Sequence, residues 1–152
     1  LQLTISDLVS EVHDTHHPIG TSLYYEEQTE AARQRTTAFL EHRLPKFLDY
    51  FERIVRENAD AREPRSLVGV HTYADLSMFH VLAGLRYAFP RAMAAKQRTL
   101  PALAALEERV AARPRVASYL ASPRRLAFSS SGIFRAYPEL DLVPSWAAEG
   151  TP

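Results

Sequence analysis

The chain opens on a helical rhythm: Ile5, Leu8, Val9 and Val12 recur at steps of three and four residues, the spacing that lines one face of an α-helix. Leu3 to about Tyr25 therefore reads as a first helical segment. Pro18 and Gly20 should kink or break it, because proline removes a helix hydrogen bond and clashes with the turn before it. From about Glu30 to Asn58 a second stripe, Leu40, Leu44, Phe47, Leu48, Phe51 and Ile54/Val55, marks an amphipathic helix. Pro45 lies inside that stripe and predicts a bend, and Arg62 to Ser66 is a polar connection. Thr72 and Asp75 then stand three residues apart, ahead of an apolar run from Leu76 to Phe89. This is capping-box spacing, in which the threonine and the acid satisfy free backbone N–H groups at a helix start. The run itself is apolar almost all round, which predicts a central helix buried among others. Pro90 halts it, and Arg91 to Gln97 fits either helix or loop. Pro101 suits a helix start followed by the stripe Leu103, Leu106 and Val110, ended by Pro114. Val116, Tyr119 and Leu120 form a last short helix, stopped by Pro123.

No stretch shows the sustained alternation of a half-buried strand, and twenty-two alanines stand against five glycines. The expected fold is all-α: a helical bundle around one buried central helix over residues 1–123, with an irregular aromatic tail over 124–152 packed on it. At 152 residues, 46% hydrophobic and 24% charged, the chain has the size and composition of one globular domain. Eighteen basic residues balance eighteen acidic ones, so neither a nucleic acid nor an anionic membrane is an expected partner. The chain has no cysteine, which excludes disulfides, thiolate zinc sites and cysteine nucleophiles here and fits a cytoplasmic protein. The longest apolar candidate, Leu76 to Leu85, is interrupted by Ser77 and His80, so no transmembrane helix is expected, and the polar start is no signal peptide.

The run His13-Asp14-Thr15-His16-His17 reads as H-D-x-x-H, close to the zinc-protease pattern H-E-x-x-H. On a helix His13 and His17 would share a face and could hold a metal beside Asp14 as base, the makings of a metal-dependent hydrolase. Pro18 follows at once and no motif marks a third ligand, so these histidines read as lining a polar pocket or the kink, and no metal is expected. Thr72 and Asp75 read as a structural cap and His80 as a hydrogen-bonded core histidine. Tyr24 and Tyr25 are pocket or interface aromatics. Arg124-Arg125 is a solvated helix end, and Phe128, Phe134 and Trp146 are a lid or anchors for the tail.

The block Val68-Gly69, Thr72-Tyr73-Ala74-Asp75-Leu76 and Phe79, then Ala112-Arg113-Pro114-Arg115-Val116 with Tyr119-Leu120, resembles the C-terminal helical domain of cytosolic glutathione S-transferases. Leu8 through His17-Pro18-Ile19 to Tyr25 is similar to that domain's first helix, and Glu41 to Leu48 with Tyr50 to Arg53 to its second. Two departures stand out. The thioredoxin-like domain that binds glutathione and activates its thiol has no counterpart between residues 1 and 152, and His71 stands where the family places an aliphatic staple, leaving Val70 to do it or the staple to Leu76 weak.

The resemblance implies that the missing domain holds glutathione while this one supplies the wall of the hydrophobic co-substrate pocket. The residues it points to are His13, His17, Tyr24, Tyr25, Phe128 and Phe134, with Glu11 or Asp14 as candidates to reach the glutathione amine of a partner subunit. It implies a detoxifying transferase that joins glutathione to hydrophobic electrophiles and forms a homodimer, with apolar surface near His17, Ile19, Leu23, Tyr24 and Tyr25. This chain alone would bind no cofactor, carry no catalytic residue and be inactive. The rival reading is a non-catalytic, transferase-like domain that mediates protein assembly.

Overall fold

The computed structural model describes residues 1–58 and 66–148; of the polar connection expected over Arg62 to Ser66, all but Ser66 lies outside them. Among the described residues the regular structure is helical, with one isolated bridge between Val68 and Val70. The fold is all-α. No described helix is long and apolar enough to cross a membrane.

Helix α1 (Gln2–Asp14) buries Ile5, Leu8 and Val12. It ends well before Tyr25 and even before Pro18. The residue preceding a proline is disfavoured in the helical region, and the hydrogen bonding of the last turn already closes on itself. The Thr15 hydroxyl donates to the Val12 carbonyl at 2.6 Å, and the N–H groups of His16 and His17 both reach the His13 carbonyl at 3.2 Å. The loop that follows is gathered by the buried Gln28 side chain. Its amide oxygen accepts from Ile19 N–H at 3.0 Å, and its NH₂ donates to the carbonyls of Gly20 and Leu23 at 3.1 and 3.2 Å.

The second predicted segment is two helices, α2 (Thr29–Ala38) and α3 (Leu44–Glu57), joined without a loop by a π-helical stretch, Phe39–Arg43. Pro45 has no N–H to give to the carbonyl four residues back. The ladder widens to i→i+5 just before it, with Leu44 N–H on the Phe39 carbonyl, so the bend expected at Pro45 is spread over the wide turn. α3 buries Leu44, Phe47, Leu48, Phe51 and Val55. It also buries Glu52, whose two carboxylate oxygens accept from Ala102 and Leu103 N–H at 2.9 and 2.8 Å. These are free donors at the start of α6 (Pro101–Ala111), so an acid on α3 caps another helix and complements its dipole.

Helix α4 (Tyr73–Ala88) carries the expected box. Thr72 Oγ1 accepts from Ala74 N–H at 3.3 Å, and Asp75 Oδ2 accepts from Thr72 N–H at 2.7 Å. Asp75 does more than the box requires: Oδ1 accepts from Leu67 N–H at 2.9 Å, tying in the strand-like approach. Val70 and Leu76 are both exposed, so the staple contributes little here, and His71 instead sets Nδ1 at 3.9 Å from the Asp75 carboxylate. Met78, Val81, Leu82, Leu85 and Ala88 are buried, yet the helix is not covered all round. Tyr73, Leu76 and His80 are exposed, which corrects the expectation of a core histidine at His80.

Helix α5 (Pro90–Lys96) settles the ambiguous stretch as helix, and α7 (Pro114–Leu120) follows α6, each of the three opening on its proline. After α7 the chain is irregular up to a short helix α8 (Ser145–Ala148). It is nonetheless fixed at discrete points. Phe134 is buried against Gly84 of α4, where a side chain of any size would meet its ring. Tyr137 stacks on Tyr25 at 3.9 Å. Asp141 accepts from Arg91 N–H at 3.0 and 3.2 Å at the start of α5. Ser145 N–H and Oγ donate to Glu41 at 2.8 and 2.6 Å, and Trp146 Nε1 donates to the Leu40 carbonyl at 3.0 Å.

Candidate functional site

The residues singled out from the sequence lie on two sides of the bundle, and the tail runs across both. On the α1 side His13, His16 and His17 stand together, with ring centroids 4.7–5.3 Å apart. His16 is 1% exposed, and its Nε2 lies 2.9 Å from the Ile133 carbonyl in the tail. A carbonyl oxygen only accepts, so Nε2 carries the hydrogen and Nδ1, 2.5 Å from His17 Nδ1, is left with its lone pair. Burial, with smaller contributions from Arg135, His17 and His13, pulls the His16 pKa down to about 4. Burial, followed by the Arg135 charge, lowers that of the more open His17 as well.

Glu11 and Asp14 are occupied within the chain. Arg43 grips Glu11 through Nε and Nη2 at 2.6–3.1 Å, and Arg35 lies 3.4 Å from Asp14. Tyr24 and Tyr25, adjacent in sequence, part company. Tyr24 is 78% exposed with its N–H held by Glu27, whereas Tyr25 is buried between Tyr137 and Glu139. Tyr25 Oη donates to Glu139 Oε1 at 2.9 Å; burial and then this carboxylate push its pKa well above the ordinary tyrosine value. Of the apolar surface expected near the loop, Ile19 and Tyr24 face water and Tyr25 does not.

On the other side, Phe134 fills the space above Gly84 while Phe128 stands beside it and stays half-buried. Phe128 stacks on His80 at 5.6 Å and on Tyr87 at 5.2 Å, and meets Phe134 edge-on at 5.9 Å. Beyond Phe128 a groove of about 350 Å³ opens between α4, α7 and the segment after α7. Leu76, Phe79, Ala83, Val116 and Leu120 form its apolar walls, with His80 and Tyr119 as polar edges and Arg115 and Arg125 at the rim. Reading by motif missed this groove, because its walls come from two helices and the tail. The signal in the sequence was the excess apolar width of α4, wider than the core needs.

The site thus joins an apolar cleft, aromatic edges and a tail that clamps both sides, arranged around a capped and mostly buried α4. No curated protein matches the chain. A family model described as "Glutathione S-transferase, C-terminal domain" matches residues 13–123, a span that takes in the histidine cluster, the π-helical bend, the Thr72–Asp75 box and α4 to α7. The chain therefore belongs to the glutathione S-transferase C-terminal domain family.

Proposed function

We propose that this domain supplies the hydrophobic co-substrate wall of a glutathione S-transferase, which with a thioredoxin-like domain holding glutathione conjugates that thiol to hydrophobic electrophiles. The observation that carries the reading is the groove bordered by Phe128. An apolar electrophile entering it removes apolar surface from water at about 25 cal/mol per Å² on each side. Its aromatic walls stack on a flat ring, while His80 and Tyr119 offer hydrogen bonds to a polar substituent and the two arginines favour an electron-withdrawing or anionic one. The thiolate comes from the other domain, so what the groove contributes is position beside it. Two copies meeting through the exposed Ile19 and Tyr24 face would give the symmetric dimer common among closed assemblies.

The test uses this chain as it stands. A fluorescent apolar dye should bind and be displaced by 1-chloro-2,4-dinitrobenzene, and Phe128→Ala should weaken the displacement at least about fivefold, the loss of one stacked ring. Immobilised glutathione should not retain the chain, and glutathione with the electrophile should not turn over. Displacement indifferent to Phe128→Ala sinks the groove assignment, and turnover by the chain alone sinks the division of labour. Failure to bind the dye would favour the assembly reading instead.

A further inference from the structure

The H-D-x-x-H reading offers two ligands, His13 and His17, and the structure supplies a third. One ring nitrogen from each of His13, His16 and His17 lies within 4.8 Å of the others. The backbone makes this happen: because the N–H groups of both His16 and His17 return to the His13 carbonyl, the chain folds over the end of α1 and gathers three side chains at one point. His13 and His17 lie parallel at 5.3 Å, 16° apart, and His16 stands edge-on to both.

The buried member is already arranged as a metal ligand. His16 gives its Nε2 hydrogen to the Ile133 carbonyl, and its Nδ1 lone pair points at His17 Nδ1. An imidazole whose far N–H is anchored on a backbone carbonyl, fixing the tautomer and aiming the other nitrogen, is the usual second sphere of a ligating histidine. The facing Nδ1 atoms of His16 and His17 share a hydrogen in the metal-free chain, and a cation can take that place once the hydrogen leaves. The nearby carboxylates do not compete for it, since Arg35 and Arg43 hold Asp14 and Glu11. An all-nitrogen donor set selects zinc-like ions over magnesium and calcium, which take oxygen.

We propose that His13, His16 and His17 bind one divalent ion of the zinc class through three imidazole nitrogens, with the fourth position open to solvent past the half-buried His13 and His17. At zinc–nitrogen distances of about 2.0–2.1 Å, tetrahedral ligand atoms stand about 3.3 Å apart. The His16–His17 pair therefore opens by less than about 1 Å, by rotation of the His17 side chain beyond the helix end. Arg135 is a cation near this cluster and opposes the ion. Its Nε is turned to the Gly132 carbonyl at 2.8 Å, so it weakens the site without blocking it. Because His16 also holds Ile133, the ion would fasten the tail to α1.

The experiment titrates chelator-stripped chain, free of any histidine tag, with ZnCl₂ by calorimetry and with Co²⁺ by visible absorption. The expected result is one ion per chain with affinity on the order of micromolar or tighter, a tetrahedral Co²⁺ spectrum, and slower tryptic cleavage at Arg135 when zinc is present. His13→Gln and His17→Gln should each weaken binding at least about tenfold, with circular dichroism showing the helices intact. These two half-buried positions carry the test because His16→Gln would leave a buried amide in place of an anchored ring. The triple variant His42→Gln/His71→Gln/His80→Gln, which removes every histidine outside the cluster, should bind zinc like the parent. No saturable binding below ~100 µM, or binding that survives His13→Gln and His17→Gln together, overturns the proposal.

Discussion

Helices α3 and α4 each pack on α6 through many side chains, whereas the tail is held at separate points. Phe47, Leu48, Phe51, Met78, Leu82, Leu85, Leu103 and Leu106 form one continuous apolar core, and no one pair of them decides the geometry. From residue 124 on, the attachments are separate and far apart in sequence: Phe128 on His80 and Tyr87, Phe134 on Gly84, Tyr137 on Tyr25, Asp141 on the start of α5, Ser145 on Glu41 and Trp146 on the Leu40 carbonyl. Burial spread over many side chains tolerates small shifts and announces itself as periodicity. Point attachments need particular partners and leave no period. The two proposed sites lie where these regimes meet, at the histidine cluster under Ile133 and at the groove beside Phe128.

The centre of the core is the most sensitive point of the molecule. Phe51 is fully buried, so Phe51→Ala should cost about 3–5 kcal/mol. Denaturant unfolding followed by circular dichroism would measure it, and a loss below 1 kcal/mol would mean the core is not the continuous unit described.

Next comes His16, at the joint. In the metal-free protein, with chelator present, its folded pKa of about 4 lies below the ordinary 6.5. The unfolded chain therefore binds the proton first, and stability is fully present above pH 6.5 and falls as the pH drops towards 4, by up to about 3 kcal/mol. His13, His17 and Arg135 face the ring and all oppose its charging. The difference between parent and His16→Asn unfolding free energies should change across this window and be flat above pH 7. A difference independent of pH would show that burial does not hold the ring neutral.

At the start of α4, Asp75→Ala should cost about 2 kcal/mol rather than the ~1 typical of a cap. The carboxylate holds Leu67 N–H as well as Thr72 N–H, and the substitution leaves a buried donor unpaired. Equilibrium denaturation checks it, and Asp75→Asn, which keeps one acceptor oxygen, should recover part of the loss.

The smallest effect carries the most information about the tail. A glycine inside a helix normally gains about 1 kcal/mol on replacement by alanine. At Gly84 the added methyl meets the Phe134 ring, so Gly84→Ala should instead cost about 1–2 kcal/mol and speed tryptic cleavage at Arg125 and Arg135. Phe134→Leu in the same chain should return the substitution towards its ordinary sign. A stabilised Gly84→Ala protein with an uncut tail would deny that Phe134 seats there.

The bundle was legible because its signals are local or periodic. Pro101 opens α6 as its position predicts, and the Thr72–Asp75 spacing needs only neighbouring residues; Pro90 and Pro114, expected as stops, also open α5 and α7. The rest depends on partners far away in sequence. Glu52 falls on the apolar face of α3, an oddity visible in the stripe, but its partners lie fifty residues on. Gly84 in the middle of an apolar helix gives no hint of Phe134. The H-D-x-x-H template registers residues four apart and passes over His16, which reaches the cluster only because the helix ends early. Tyr24 and Tyr25 are chemically alike and adjacent, so the sequence ranks neither; the tail decides between them by covering one.

The chain has one tryptophan, and it lies in α8, with its indole N–H on the α2–α3 bend and the Lys96 ammonium 5.8 Å from its ring. Indole emission follows the polarity of its immediate surroundings, so the intrinsic fluorescence of this protein is a position sensor for residue 146 and only indirectly a gauge of folding. Emission that moves to longer wavelength while the helical ellipticity stays constant would time the lifting of the tail from an intact bundle. The protein carries that optical reporter without any label attached.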